Sequence, residues 1–454
     1  MTENADSYVC GIADAPLLGD TIGRSLDQAA RRWAEREALV SPSHGVRWTW
    51  KELAERVDAL AAGFLALGLE RGARIGVWSL NRPEWTLTQF AAAKAGLILV
   101  TINPAYRLSE LEFALGKIGC AAIVTATAFK TSNYMEMLNA LMPELAKAAP
   151  GDLRSARLPH LRAVIQVGGP VCPGTIPFED VTRMGDARHQ GALATLAGTL
   201  QFDDPVNIQF TSGTTGSPKG VTLTHHNILN NGYFVGRAMR LTESDRICIP
   251  VPLYHCFGMV MGNLASVTSG ATMVYPGEGF DPLATLQTVE REKCTALYGV
   301  PTMFIAELDH PEFAKFDLSS LRTGIMAGAP CPIEVMRRVN EQMNMRDVTI
   351  AYGMTEASPV SFQSAMDDPL ERRVSTVGRI HPPRSRLSIL RDASCHAANG
   401  ASCAPAATAS CWAIGTNPKR PLTYSMPMAG CTPAISPSSI RRAIATSSAA
   451  SRTW

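Results

Sequence analysis

No stretch of the chain reaches the roughly 18 consecutive apolar residues that a membrane-spanning helix needs. The N-terminus, MTENADSYVCGIADAP, lacks a basic start followed by an apolar run, so no secretory signal is expected. Charge of one sign is scarce: 42 Lys and Arg against 40 Asp and Glu leave a net +2, which gives no reason to expect nucleic acid as a partner. Paired cysteines are missing too. The 11 cysteines are scattered, which fits a reducing cytoplasm better than a disulfide framework. What remains is 454 residues, 46% apolar and 18% charged, the profile of an ordinary soluble globular protein with room for two or three domains and a large core.

A sharper absence is local. From Pro383 to Trp454 there is no Val, Phe, Glu or Gln, and Asp392 is the single acid, against 15 Ala and 12 Ser. Eight of the 42 Lys and Arg lie in these 72 residues, so the tail carries +7 and the first 382 residues carry −5. Two kinds of sequence are joined at Pro383.

Before that break, helix and strand signals alternate. Thr49-Trp50-Lys51-Glu52 is a capping box, followed by Leu53, Val57, Leu60, Phe64 and Leu67 at helical spacing and by Gly68 where a C-terminal glycine belongs. Strands are predicted at 74–78, 97–101 and 121–125, with a helix opened by Pro83 and a second capping box at Ser109-Glu110-Leu111-Glu112. Residues 185–200 are weakly patterned and read as a connection, and residues 226–239 suit a helix. Further strands are expected at 246–250, 271–275, 296–298 and 348–352. This succession of βα units gives an α/β fold with parallel, helix-covered sheets, whose ligands sit beyond the C-terminal strand ends.

The stretch Thr211 to Gly220, TSGTTGSPKG, lies between strand-like runs and cannot build a core. Its glycines let backbone N–H groups turn toward an anion, its hydroxyls add donors, and Lys219 supplies a mobile positive charge. The ligand it suits is a phosphate chain, although no Gly-Lys-Ser/Thr falls at Walker-type spacing. Three further stretches follow predicted strands: Pro252 to Gly258 (PLYHCFG), Gly328-Ala329-Pro330, and Ala351 to Glu356 (AYGMTE). His225-His226 has no third ligand nearby and reads as a helix start rather than a metal site.

Taken in this order, TSGTTGSPKG and YGMTE resemble the two most specific signatures of the adenylate-forming superfamily of acyl-CoA synthetases, luciferases and peptide-synthetase adenylation domains. The resemblance covers roughly residues 25–382. NRPEW, INPAYR, PLYHCFG and MAGAP are most similar to medium-chain fatty-acyl-CoA synthetases. It implies the large N-terminal domain of such an enzyme, with stacked α/β/α sheets plus a distorted β-barrel, spanning residues 1–382. It implies that Thr211, Ser212, Gly213, Thr214, Thr215, Gly216, Ser217, Pro218 and Lys219 hold the β- and γ-phosphates of ATP. Lys219 would neutralise the leaving pyrophosphate. Glu356 would hold Mg²⁺, and Thr355 would meet the α-phosphate. Tyr352, with Gly328, Ala329 and Pro330, would frame the adenine, and Gly353 and Met354 would belong to the same ATP-binding set. His255 would stand at the mouth of an acyl pocket that Phe257 and Met259 line, core lining being an equal reading for Met259. The small-molecule partners are a fatty acid, ATP and coenzyme A. Amino-acid-activating relatives place an Asp after the PLYHCFG-like stretch; here no acid lies between Pro250 and Ser266, which favours an uncharged acid. An aryl- or short-chain ligase and a nucleotide-binding protein without turnover are the alternatives.

Relatives continue past Val377 to Pro382 into the end of the large domain and a small lid. Regrouping the tail codons by one base allows a string with the family's HTGD and GRIKD segments, so the tail is expected to be a wrong-frame, disordered segment that leaves the lid missing and activity impaired. The rival, a metal knuckle of Cys395, His396, Cys403, Cys411 and Cys431, lacks CxxC pairing. DNA spanning the codons for Ile380 to Arg384 is expected to be one base short relative to the family's frame. A clean frame in independent isolates would contradict this.

Overall fold

The computed structural model describes residues 15–211 and 218–381, together with short strand segments at 387–388, 406–407, 412–413 and 444–446. The rest of the tail, and Ser212 to Ser217, lie outside the described residues.

The capping box forms as the sequence predicts. Glu52 N–H donates to Thr49 Oγ1 at 3.2 Å, Thr49 N–H donates to Glu52 Oε2 at 2.8 Å, and the helix runs Trp50–Ala66. Leu53, Val57, Leu60 and Phe64 are buried along one stripe, and Gly68 takes φ +72° beyond the end. Each such apolar side chain contributes about 1.5–3 kcal/mol on burial.

Two large sheets follow from the βα succession. In the first, the strands run in the order Trp412–Ala413, Lys219–Thr224, Pro205–Thr211, Ile98–Thr101, Arg74–Trp78, Ala122–Ala126, Ala163–Val167, Ile176–Pro177. All neighbours from Pro205–Thr211 onward are parallel, while Pro205–Thr211 pairs antiparallel with Lys219–Thr224. In the second, Glu37–Ser41, Thr272–Val274, Arg246–Cys248, Ala296–Gly299, Thr323–Ala327 and Asp347–Gly353 are parallel. The antiparallel strands Val360–Gln363 and Thr376–Ile380 extend one edge. Among the described residues neither sheet closes into a barrel.

Both faces of each sheet are covered, which is why the strands read as continuous Val/Ile/Leu runs. One core cluster joins inward residues of both sheets to Trp50, Phe64, Trp85 and Phe90 on helices lying between them. A second fills the outer side of the first sheet beneath helices Leu108–Ile118 and Tyr134–Leu141. A third fills the outer side of the second sheet beneath Pro282–Glu292, Pro301–Leu308 and Ile333–Gln342. The layers thus alternate helix, sheet, helix, sheet, helix.

Two expectations need correction. Residues 185–200 are no connection: Ala187–Thr199 is a helix, started by Asp186, whose carboxylate accepts the N–H groups of Arg188 and His189. Only Leu193 of that helix is buried, so the apolar periodicity that marks a packed helix is absent. The second capping box is displaced as well. The helix starts at Leu108, and Glu110 rather than Glu112 reaches back, accepting Arg107 N–H at 2.9 Å.

The described cysteines, Cys120, Cys172, Cys248, Cys256, Cys294 and Cys331, are all free, and no described helix is long and apolar enough to cross a membrane. Buried histidines make the fold acid-sensitive. His225 opens the helix His225–Ala238 and accepts Ile22 N–H on Nδ1 at 3.2 Å; burial lowers it from the ordinary 6.5 to about 4. Burial does the same to His381, which bonds Gln363 Oε1 at 2.9 Å. Both rings bind protons more readily unfolded than folded. Stability is therefore full above about pH 6.5 and is lost as pH falls toward about 4, by about 3 kcal/mol for each ring. Thermal unfolding across this range should show the midpoint falling with pH and a shallower fall in His225→Asn; a flat profile would contradict the assignment.

Candidate functional site

The antiparallel pair Pro205–Thr211 and Lys219–Thr224 brackets the phosphate-type loop, with Thr211 directly opposite Lys219 in the register. Thr211 and Lys219 are therefore cross-strand neighbours at the loop end of a hairpin. Pro218 sits beside them, its carbonyl accepting Lys117 Nζ at 3.4 Å.

On the second sheet, Asp347–Gly353 ends in Tyr352 and Gly353, and the turn Thr355–Ala357 follows at once. A Cβ on Gly353 would lie 1.9 Å from the Pro359 carbonyl oxygen, so only glycine lets the strand and the returning chain approach this closely. Met354 N–H donates to that same carbonyl at 3.0 Å. The turn thus aims Glu356 across the gap between the sheets. Thr211 Oγ1 donates to Glu356 Oε1 at 3.2 Å, which brings the two predicted stretches to one place. The neighbouring parallel strand Thr323–Ala327 pairs Ala327 with Ala351 and leads into the exposed Gly328, Ala329 and Pro330 beside Tyr352. Gly328 takes φ +86°, which suits glycine alone.

The PLYHCFG stretch converges here as well. Cys256 is buried, and burial pushes its thiol up to about 12; the adjacent Thr355 hydroxyl lowers it and the Glu356 charge adds to the rise. His255 is partly exposed, and desolvation holds its ring below the usual imidazole range. Phe257 N–H donates to His255 Nδ1 at 3.2 Å, which assigns the ring proton of the neutral form to Nε2. Phe257 stacks on Tyr298 with centroids 5.8 Å apart. Met259 is 1% exposed in the core between the sheets, its sulfur accepting Gln209 Nε2 at 3.2 Å. The structure therefore sets Thr211, with Lys219 opposite it, against Glu356 in the turn after Tyr352, Gly353 and Met354, and brings Cys256, next to His255, beside Thr355; Gly328 to Pro330 follow the neighbouring strand.

Side chains that sequence reasoning passed over hold this arrangement. Asn81, from NRPEW, donates Nδ2 to the Val251 carbonyl at 2.9 Å and accepts Leu253 N–H at 2.8 Å, fixing the chain just before His255. Asn231 donates to the Val360 carbonyl at 2.8 Å and accepts Val360 N–H at 3.1 Å, fixing the return of the Glu356 turn. The one available signal was the pair Asn230-Asn231 inside a helix, where asparagine is a poor helix former. A separate cleft of about 190 Å³, lined by Glu84, Gln166, Gly168, Val171 and Phe178 among others, contains none of the predicted site residues.

Residues 26–400 match the family described as AMP-binding enzyme. The chain belongs to that family. This AMP-binding chain is 49% identical over 378 residues to the medium-chain acyl-CoA ligase ACSF2, mitochondrial, of Danio rerio, covering 83% of this chain and 62% of that protein. It is 44% identical over 381 residues to the human protein of the same name, covering 83% and 62%. It is 45% identical over 381 residues to YngI of Bacillus subtilis, covering 84% and 69%. The chain thus spans 62% of the length of the first of these relatives. In fold it is similar to the anthranilate CoA ligase AuaEII in complex with anthranoyl-AMP, with a TM-score of 0.77 at 21% identity over 96% of this chain and 78% of that one. It is also similar to the long-chain-fatty-acid-CoA ligase FadD1 of Archaeoglobus fulgidus, with a TM-score of 0.67 at 22% identity over 83% and 72%. These two likenesses show that the chain shares the α/β fold of those proteins.

Proposed function

We infer that this protein activates a medium-chain fatty acid with ATP, forming acyl-AMP and then acyl-CoA. The observation that carries the reading is the 3.2 Å bond from Thr211 Oγ1 to Glu356 Oε1, because it joins the start of a phosphate-type loop to a carboxylate. Lys219, opposite Thr211, is the cation that offsets charge on the departing pyrophosphate. Thr355 meets the α-phosphate, Tyr352 with Gly328, Ala329 and Pro330 frames the adenine, and Gly353 and Met354 complete the ATP-binding set. Ser212 to Ser217 complete the loop by sequence.

The donors present suit Mg²⁺: a carboxylate and a hydroxyl oxygen are hard ligands, and one carboxylate leaves room for phosphate oxygens to complete the shell. When bound, the ion would neutralise phosphate charge, with Glu356 as its protein ligand. This chain's own contribution is positional. The hairpin and the turn present donors from two sheets to one phosphate chain, which converts binding into alignment of the carboxylate for attack. His255, neutral and half-buried at the opening, places an Nε2–H donor where the substrate carboxylate arrives. The thiol of coenzyme A then displaces AMP.

The absence of an acid between Pro250 and Ser266, and the buried Phe257, Met259 and Met261, support an uncharged aliphatic acid. The relatives' name, medium-chain acyl-CoA ligase, supports the length class. The free cysteines among the described residues support a reducing compartment such as the cytoplasm. Residues 1–382 form the AMP-binding domain on this reading, and 383–454 are a wrong-frame tail that impairs turnover. The change of composition at Pro383 supports a break there, although the family match runs on to residue 400. That break also favours a second reading, nucleotide binding without turnover.

ATP–pyrophosphate exchange on a frame-restored protein tests the assignment. Octanoate should support exchange far better than benzoate or alanine, and Lys219→Met should lower the rate by roughly 10²-fold. Preferred activation of benzoate or alanine would overturn the substrate class. Nucleotide binding with no exchange for any acid would leave the second reading standing instead.

A further inference from the structure

Phe257–Leu264 is eight consecutive residues of π-helix, all buried, closed by Ala265 N–H, which is shared between the Val260 carbonyl five residues back and the Gly262 carbonyl three back. Such i→i+5 bonding is usually limited to single turns and is frequent at functional sites. A run of this length needs support from outside itself, and two side chains supply it. Gln89 Nε2 donates to the Met259 carbonyl at 3.2 Å, and the Tyr298 hydroxyl donates to the Met261 carbonyl at 3.0 Å. Gln89 also grips a second point on the run, its Oε1 accepting Asn263 Nδ2 at 2.8 Å. Asn263 Oδ1 accepts the Tyr275 hydroxyl at 2.7 Å, and that hydroxyl shares a 2.7 Å bond with Thr86 Oγ1. Thr86, Asn263 and Tyr275 are fully buried and Gln89 is 3% exposed.

Burying two amides and two hydroxyls is costly unless each finds partners, and an apolar set of the same volume would fill the space as well. A connected polar set does something an apolar set does not: it accepts one register of its neighbour and penalises the others. Slippage of residues 257–264 to ordinary i→i+4 bonding would take the Met259 carbonyl and the Asn263 side chain out of their joint reach of Gln89. It would also rotate Phe257 and Met259 away from Tyr298 and Gln209, their present neighbours.

We propose that Gln89, acting with Asn263 and Tyr275, is a positioning residue that holds residues 257–264 in the π register and so sets the acyl chain-length preference of the site. The inference rests on the acyl-side role of His255, Phe257 and Met259 given above. Gln89 touches no reacting group on this account. It acts through the wall that the acyl chain meets.

Calorimetry on the full chain tests it, with octanoyl and dodecanoyl sulfamate analogues of acyl-AMP, and with ATP alone. Gln89→Leu and Asn263→Leu should each shift the octanoyl-to-dodecanoyl affinity ratio by about tenfold, the scale of a methylene in an apolar pocket, while ATP affinity stays unchanged. The two changes combined should shift it no further than either alone, because they break one network. Tyr275→Phe keeps the ring and removes the hydroxyl, and carries the same expectation should the amide variants fail to fold. An unchanged ratio in a folded variant would overturn this inference while leaving the functional reading in place. A native chain that binds neither analogue would overturn both.

Discussion

The bond from Thr211 Oγ1 to Glu356 Oε1 is the point on which the rest of the arrangement depends, because its two ends belong to different sheets. Thr211 ends a strand of the first sheet and Glu356 follows a strand of the second. Neither sheet alone brings together Thr211, Lys219 and Glu356. The helices packed between the sheets set the separation, and their large side chains, Trp50, Phe64, Trp85 and Phe90, are buried there. Close packing transmits position: interiors at crystal-like density leave little room for one sheet to slide on the other.

Precision at the opening comes from a different source than the core. Asn81, Asn231 and Gln89 each bond to backbone groups of a segment far away in sequence. An apolar contact is indifferent to small shifts, whereas an amide that both donates and accepts fixes a neighbouring strand or helix in one register. The cost is that each amide must remain fully partnered, since a buried orphan costs about 1–3 kcal/mol. The same economy explains Gly353, where the missing side chain lets the returning strand close over the turn.

Much of this was readable in the sequence, for identifiable reasons. The Thr49–Glu52 box, the Leu53 to Phe64 stripe and the strand at 74–78 are local patterns, and local physics decided them. The helix Ala187–Thr199 was not readable because it buries almost nothing, so no periodicity marks it; its start depends on the single carboxylate of Asp186. The register of the helix after INPAYR was misjudged because two glutamates two residues apart compete for one cap, and the chain's entry angle at Arg107 selects Glu110. The meeting of the Thr211 stretch with Glu356 was legible through the resemblance of TSGTTGSPKG and YGMTE to known signatures. The amide clamps were not, because nothing near Asn81, Gln89 or Asn231 in sequence announces a partner more than a hundred residues away.

The central claim is that the two sheets present one phosphate site rather than two adjacent surfaces. A double-mutant cycle on Mg-ATP affinity tests it most directly, with Thr211→Val, Glu356→Gln and the pair measured by calorimetry on the full chain. The account predicts a coupling of about 0.5–3 kcal/mol between the two positions, the double variant losing clearly less than the sum of the singles. Strictly additive losses, or no loss from Glu356→Gln, would contradict it.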